Sequence, residues 1–88
     1  MKTIIIDGNE IISMNNIHRI FAEELCYPEW YGRNLDALYD CLGDVTEEVE
    51  IVFENTDELE ENLGISFKKL CAVLDAVCEE NDNISVQM

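Results

Sequence analysis

The chain has 88 residues, enough for one small domain (residues 1–88) with one hydrophobic core, and its 48% hydrophobic content excludes a disordered acidic tail. Five Lys and Arg face twenty Asp and Glu, which gives a formal net charge of −15. Such a surface repels nucleic acid and anionic membranes. The negative charge therefore serves to bind a basic protein, to bind metal ions, or only to keep the protein in solution.

The N-terminus and the cysteines indicate a reducing compartment. The apolar run of residues 4–6 is too short for the core of a signal peptide, and no stretch approaches transmembrane length. Four cysteines occur, none in C-x-x-C spacing: Cys26, Cys41, Cys71 and Cys78. With His18 as the one histidine, they are expected to be buried thiols and not zinc ligands. We therefore expect a cytoplasmic protein with no metal and no cofactor.

The first predicted elements are a strand and a helix. Residues 2–7 form the strand, because the continuous β-branched run Ile4-Ile5-Ile6 is typical of a strand covered on both faces or central in a small sheet. A helix begins near residue 15 or 16 and ends near residue 25, since apolar residues recur there at helical spacing. His18 is expected at the edge of this helix, at the surface or hydrogen-bonded.

The most distinctive stretch is residues 28–42, PEWYGRNLDALYDCL. Pro28 ends the preceding helix, and Gly32 is the natural place for a positive φ or for the close approach of a partner. Asn34 is a good N-cap residue for a helix that ends near Leu42. The stretch therefore predicts an aromatic turn followed by a short helix.

The faces of this short helix differ in chemistry. An apolar face follows the spacing i, i+3, i+7: Leu35, Leu38 and Leu42. A row of carboxylates follows the spacing i, i+4, i+8: Asp36, Asp40 and Asp44. Large amphipathic rings lie close to that row: Trp30, Tyr31 and Tyr39. Aromatic rings beside acids at a turn and helix start indicate a surface that binds a cationic group.

The second half of the chain predicts two strands and two helices. An acidic loop over residues 44–50 precedes a strand at 50–54. Asn55 is expected to cap a short helix near residues 57–62, and Ser66 to cap a longer one that ends near Glu80. A terminal strand covers residues 84–86. Because helical crossovers separate the strands, we expect an α/β fold: a small three-stranded parallel sheet packed with about four helices.

Signals for enzymatic activity are nearly absent. The four glycines form no phosphate-binding loop, and the one histidine has no evident catalytic partner. Paired carboxylates can act as acid and base, as in glycosidases. Asp36 and Asp40 lie on a predicted surface helix of a very small domain, which offers little room for a pocket that excludes water.

Residues 28–42 resemble the signature of the barstar family, intracellular inhibitors of secreted ribonucleases. The resemblance covers most of the chain, and its YG-x-NLDAL core is specific. It implies a small parallel sheet with packed helices, as the pattern predicts. It also implies one-to-one inhibition of a basic ribonuclease by a chain that is monomeric when free, with the helix and its preceding turn in the active-site cleft.

The resemblance assigns roles to the acids. Asp40 is similar to the family's dominant acid, which faces the cationic groups of the nuclease, and Asp36 to the second acid one turn before it. Asp44 has no matching acidic role. The family also has a contacting Glu in its fourth helix; an ungapped alignment places Ala76 there, with the acid Asp75 one residue away and about 100° around the helix.

The resemblance also assigns roles to the aromatic turn. Trp30 stands where the family commonly has Tyr, which packs near the catalytic histidine of the enzyme. Tyr39 stands where the family has Trp. Gly32 and Asn34 match directly and should shape the turn and its polar contacts. The changed rings imply a partner specificity of their own.

Three hypotheses follow, the first being a cytoplasmic immunity protein that inhibits a basic ribonuclease of the barnase type. The second is a barstar-like binding or immunity module for a different basic protein. The third is an enzyme that uses Asp36 and Asp40, which requires a concave pocket around them.

Overall fold

The computed structural model describes residues 1–25 and 32–88. Seven elements follow one another along the chain: β1 (Lys2–Asp7), α1 (Met14–Leu25), α2 (Leu35–Gly43), β2 (Val49–Glu54), α3 (Thr56–Leu63), α4 (Ile65–Glu80) and β3 (Ile84–Gln87). The strands form one sheet in the order β1-β2-β3, with both pairs parallel. The predicted α/β architecture is therefore confirmed.

The sheet is covered on one face and open on the other. In β2, the central strand, Val49, Ile51 and Phe53 are buried, as alternation along a strand requires. In β1, Ile4 is 1% exposed whereas Ile5 is 54% exposed. The expectation that β1 is central or covered on both faces was wrong, because β1 is an edge strand and only one side of it meets the core.

The helices supply the other half of the core. Their fully buried side chains meet those of the strands in one cluster, to which every helix contributes: Ile17, Phe21, Leu38, Leu42, Leu59, Leu70, Leu74 and Val77. α2 packs against α4, and α4 in turn against β3. Within residues 1–25 and 32–88, no helix is both long and apolar enough to cross a membrane.

α1 begins slightly earlier than predicted and buries its histidine. Asn16 lies inside the helix, and its side-chain Oδ1 accepts from the backbone N–H of Ser13 at 3.2 Å, as the residue at helix position N3 does in a capping box. His18 is 3% exposed, so of the two alternatives expected for it, a surface or a hydrogen-bonded residue, the surface position was wrong. Burial first, and then the charge of Arg33, lower the pKa of this imidazole.

α3 starts directly after β2, at a tight corner beside the end of β1. Asn55, expected to cap α3 through its side chain, has a left-handed backbone with φ 53° and makes no such bond. Its side-chain amide donates instead to Asp7 at 2.7 Å. Bonds from the backbone N–H of Asn9 and from Asn55 hold the pKa of Asp7 below its ordinary value. Asn55 therefore occupies the predicted N-cap position, but the expected side-chain bond was wrong, because the backbone is left-handed and the amide is held by Asp7, 48 positions away.

Candidate partner-binding surface

The N-terminus of α2 is organised by Asn34, as predicted. Its Oδ1 accepts from the backbone N–H of Ala37 at 2.8 Å, and its Nδ2 donates to the carbonyl of Gly32 at 3.3 Å. The positive φ expected at Gly32 lies instead at Arg33, where φ is 50°. A Cβ on Gly32 would lie 3.0 Å from the side-chain nitrogen of Asn34, so the missing side chain leaves room for the amide that forms the turn.

The acidic row of α2 faces outward because Leu38 and Leu42, on the opposite face, are buried in the core. Leu38 and Leu42 have 0% exposure, which fixes the rotation of the helix about its axis. Asp36 and Asp40, one turn apart, are both exposed. Asp44 follows as the exposed C-cap residue. The row is an exposed edge of α2, fixed in rotation by the leucines beneath it.

Tyr39 connects this surface to the end of α4. The ring is half-buried against the core, and its O–H donates to a carboxylate oxygen of Glu80. That hydrogen bond, then burial and the charges of Glu80 and Asp40, raise the pKa of Tyr39 above its ordinary value. Sequence reasoning missed Glu80, because its partner is 41 residues away and no local spacing reveals the pair.

Asp75 lies elsewhere on α4. It is exposed and sits among the thiols of Cys71 and Cys78, whose pKa values are raised first by burial and then by the charge of Asp75. The thiol of Cys41 on α2 likewise has a raised pKa, through burial and then the charges of Asp40 and Asp44. The thiolate, the form that attacks electrophiles or binds metal, is therefore disfavoured at these three cysteines.

Of the seven residues expected to bind the partner, five follow one another closely on α2 and the turn before it: Gly32, Asn34, Asp36, Tyr39 and Asp40. Trp30 lies outside the described residues, as does Cys26. Asp75 is the member that belongs to a different helix, and the acid of α4 that does reach α2 is Glu80.

One cavity in the described part of the chain lies away from the acidic row. A cavity of about 640 Å³ lies between α3 and α4, and neither Asp36 nor Asp40 lines it. Its lining residues are Asp57, Glu60, Glu61, Gly64, Ile65 and Lys68. Among residues 1–25 and 32–88, no group of three or more His, Cys, Asp or Glu side chains is arranged to hold a metal ion.

Comparison with known proteins places this arrangement in a family. The family model described as "Barstar (barnase inhibitor)" matches residues 1–88. The chain belongs to the barstar family. A Bacillus subtilis (strain 168) protein named "Putative ribonuclease inhibitor YrdF" is 36% identical over 81 residues, which cover 91% of this chain and 89% of that protein. The resemblance drawn from residues 28–42 is thus confirmed, and with it the assignment to ribonuclease inhibitors and not to enzymes.

Proposed function

We propose that this protein is a cytoplasmic immunity protein that inhibits a basic microbial ribonuclease of the barnase type in a one-to-one complex. The observation that carries the proposal is the exposed pair Asp36 and Asp40 on a helix whose opposite face holds the buried Leu38 and Leu42. In a member of the barstar family, this pair is the feature best suited to enter a cationic cleft.

The inhibition follows from charge mimicry. A ribonuclease must present cationic groups where it binds the phosphates of RNA. Carboxylates on a fixed helix can occupy the same positions as those phosphates, and the enzyme then has no open site for its substrate. The formal charge of −15 speeds the encounter with a basic partner at low salt, because long-range attraction raises the association rate.

The remaining contacts are assigned by position. Gly32 and Asn34 shape the turn that leads into the helix, and Trp30 is proposed to pack against the catalytic region of the enzyme. Tyr39 adds a ring whose hydroxyl is already held by Glu80. Asp75 remains a proposed contact, but Glu80 is the acid of α4 that touches a residue of the proposed surface.

The direct experiment titrates the protein against a guanyl-specific microbial ribonuclease and measures enzyme activity and binding heat at two salt concentrations. We expect stoichiometric inhibition whose association rate falls as salt rises. Failure to inhibit at micromolar excess would exclude that enzyme as the target. Binding without loss of activity would favour a binding module for a different basic protein, the alternative hypothesis.

A pair of variants tests the location of the surface. Asp40→Ala is expected to weaken binding more than truncation of any other residue of α2, because it removes a carboxylate at the centre of the exposed row. The matched control is Glu61→Ala, which removes an exposed carboxylate from α3. An unchanged dissociation constant for Asp40→Ala would place the partner elsewhere.

A further inference from the structure

The C-terminal end of α2 is held by a side chain from far along the chain. Asn81, directly after α4, donates from Nδ2 to the backbone carbonyls of Leu42 at 3.0 Å, Val45 at 2.9 Å and Gly43 at 3.4 Å. Its Oδ1 accepts from the backbone N–H of Asn83 at 3.0 Å, which fixes the orientation of the amide. Both ends of this side-chain amide are therefore engaged.

This end of α2 has no cationic side chain of its own to stabilise it. Its last turn contains no basic residue, and the C-cap residue is Asp44, a carboxylate at the negative end of the helix dipole. The last carbonyls of a helix lack partners within the helix and must find donors elsewhere. The backbone N–H of Asp44 supplies one to Cys41 at 3.3 Å, and Asn81 supplies the donors from outside.

We propose that Asn81 is a positioning residue for the partner-binding surface: it holds the C-terminal end of α2 on α4 and so fixes where Asp36 and Asp40 stand. Asn34 anchors the other end of the same nine-residue helix from within its own turn. This inference rests on the proposed function for its effect on binding. The effect of Asn81 on α2 itself does not depend on any partner.

The test replaces one nitrogen by oxygen. Asn81→Asp keeps the acceptor for Asn83 but removes the donor to the carbonyls. The matched control is Asn62→Asp, which removes the same kind of donor from the carbonyl of Ile11, at 3.0 Å, and adds the same charge. We expect Asn81→Asp to weaken ribonuclease binding about tenfold, mainly through faster dissociation, and Asn62→Asp to leave it unchanged. Equal losses in the two variants would overturn the proposal.

A double-mutant cycle separates positioning from general loss of stability. If Asn81 acts through the acidic row, the effect of Asn81→Asp on binding should fall below about twofold when Asp40 is already alanine. Additive effects would mean that Asn81 does not act through Asp40 and would refute the proposal. The milder, uncharged Asn81→Ala serves the same cycle if Asn81→Asp does not fold.

Backbone hydrogen exchange gives a readout without a partner. The amides of Asp44 and Val45, which donate to the end of α2, should exchange about tenfold faster in Asn81→Asp and at the wild-type rate in Asn62→Asp. If the wild type inhibits no ribonuclease, the proposed function fails. The exchange comparison still tests whether Asn81 holds the C-terminal end of α2. Unchanged exchange in Asn81→Asp would show that Asn81 does not hold the end of α2, whatever the partner is.

Discussion

The acidic row of α2 should lower the stability of the free protein, and neutralising its central member should restore it. Asp40 has a like charge one turn before it, at Asp36, and one turn after it, at Asp44. Each like-charge pair at i, i+4 costs about 0.2–0.5 kcal/mol, so Asp40→Asn should raise the free energy of unfolding by about 0.4–1 kcal/mol. The same change should weaken binding to the ribonuclease.

The assay is urea unfolding at two ionic strengths. The gain for Asp40→Asn should be visible at about 10 mM salt and disappear at about 1 M, where the screening length falls to about 3 Å. Asp36→Asn is the control within the same helix. It relieves one repulsion but removes a carboxylate from the positive end of the helix dipole, worth about 0.3–1 kcal/mol, so its net effect should be near zero or slightly destabilising.

The opposite sign would refute this reasoning. If Asp40→Asn lowered the free energy of unfolding at low salt, the carboxylate would be making a stabilising contact inside the chain. A salt-independent gain would show that repulsion is not its cause. Stabilisation together with lost binding is the combination expected of a group retained for its partner.

Further predictions concern glycines and the buried histidine. Gly8→Ala should lower the free energy of unfolding by about 1–3 kcal/mol, because its Cβ would lie 2.2 Å from the carbonyl oxygen of Asn55. At Gly43, in the last turn of α2, an added Cβ meets no atom within 4 Å, so Gly43→Ala should raise the free energy of unfolding by about 0.5 kcal/mol. Equal effects of the two substitutions in urea unfolding would contradict both predictions. For His18, burial and then the charge of Arg33 lower the folded-state pKa. Below about pH 6.5 the unfolded chain therefore binds more protons than the folded protein. The free energy of unfolding should decrease as the pH is lowered, by at most about 1.4 kcal/mol per pH unit. His18→Gln should lack that component between about pH 7 and 5, and an unchanged difference between the two proteins over this range would contradict the linkage.

What could be predicted from the sequence is mostly what neighbouring residues determine. The spacing of Leu38 and Leu42 fixed which side of α2 is buried, and with it the exposure of Asp36 and Asp40. Asn34 was recognised as a cap because its partner is three residues away. These features depend on helical geometry alone, and geometry of this kind can be read from spacing.

The features that spacing did not reveal depend on contacts across the chain. The side chain of Asn55 was expected to cap α3, but Asp7 competes for it. The β-branched run around Ile5 indicated a strand but could not show that β1 lies at the edge of the sheet, since strand order is set by how the whole chain folds. The contact of Glu80 with Tyr39 could not be predicted for the same reason, because the two residues belong to different helices.

The short length of α2 explains why the long-range contacts matter to the proposed function. A helix of nine residues is not stable in water by itself, and a row of like charges weakens it further. Its shape must therefore come from the buried face below, the cap before it and the amide of Asn81 behind it. Since association costs less when the binding groups are already ordered, the same contacts that keep α2 folded also favour tight binding. The acids of the exposed row are then free to serve binding, because the stability of the helix is supplied by residues outside that row: the buried leucines, Asn34 and Asn81.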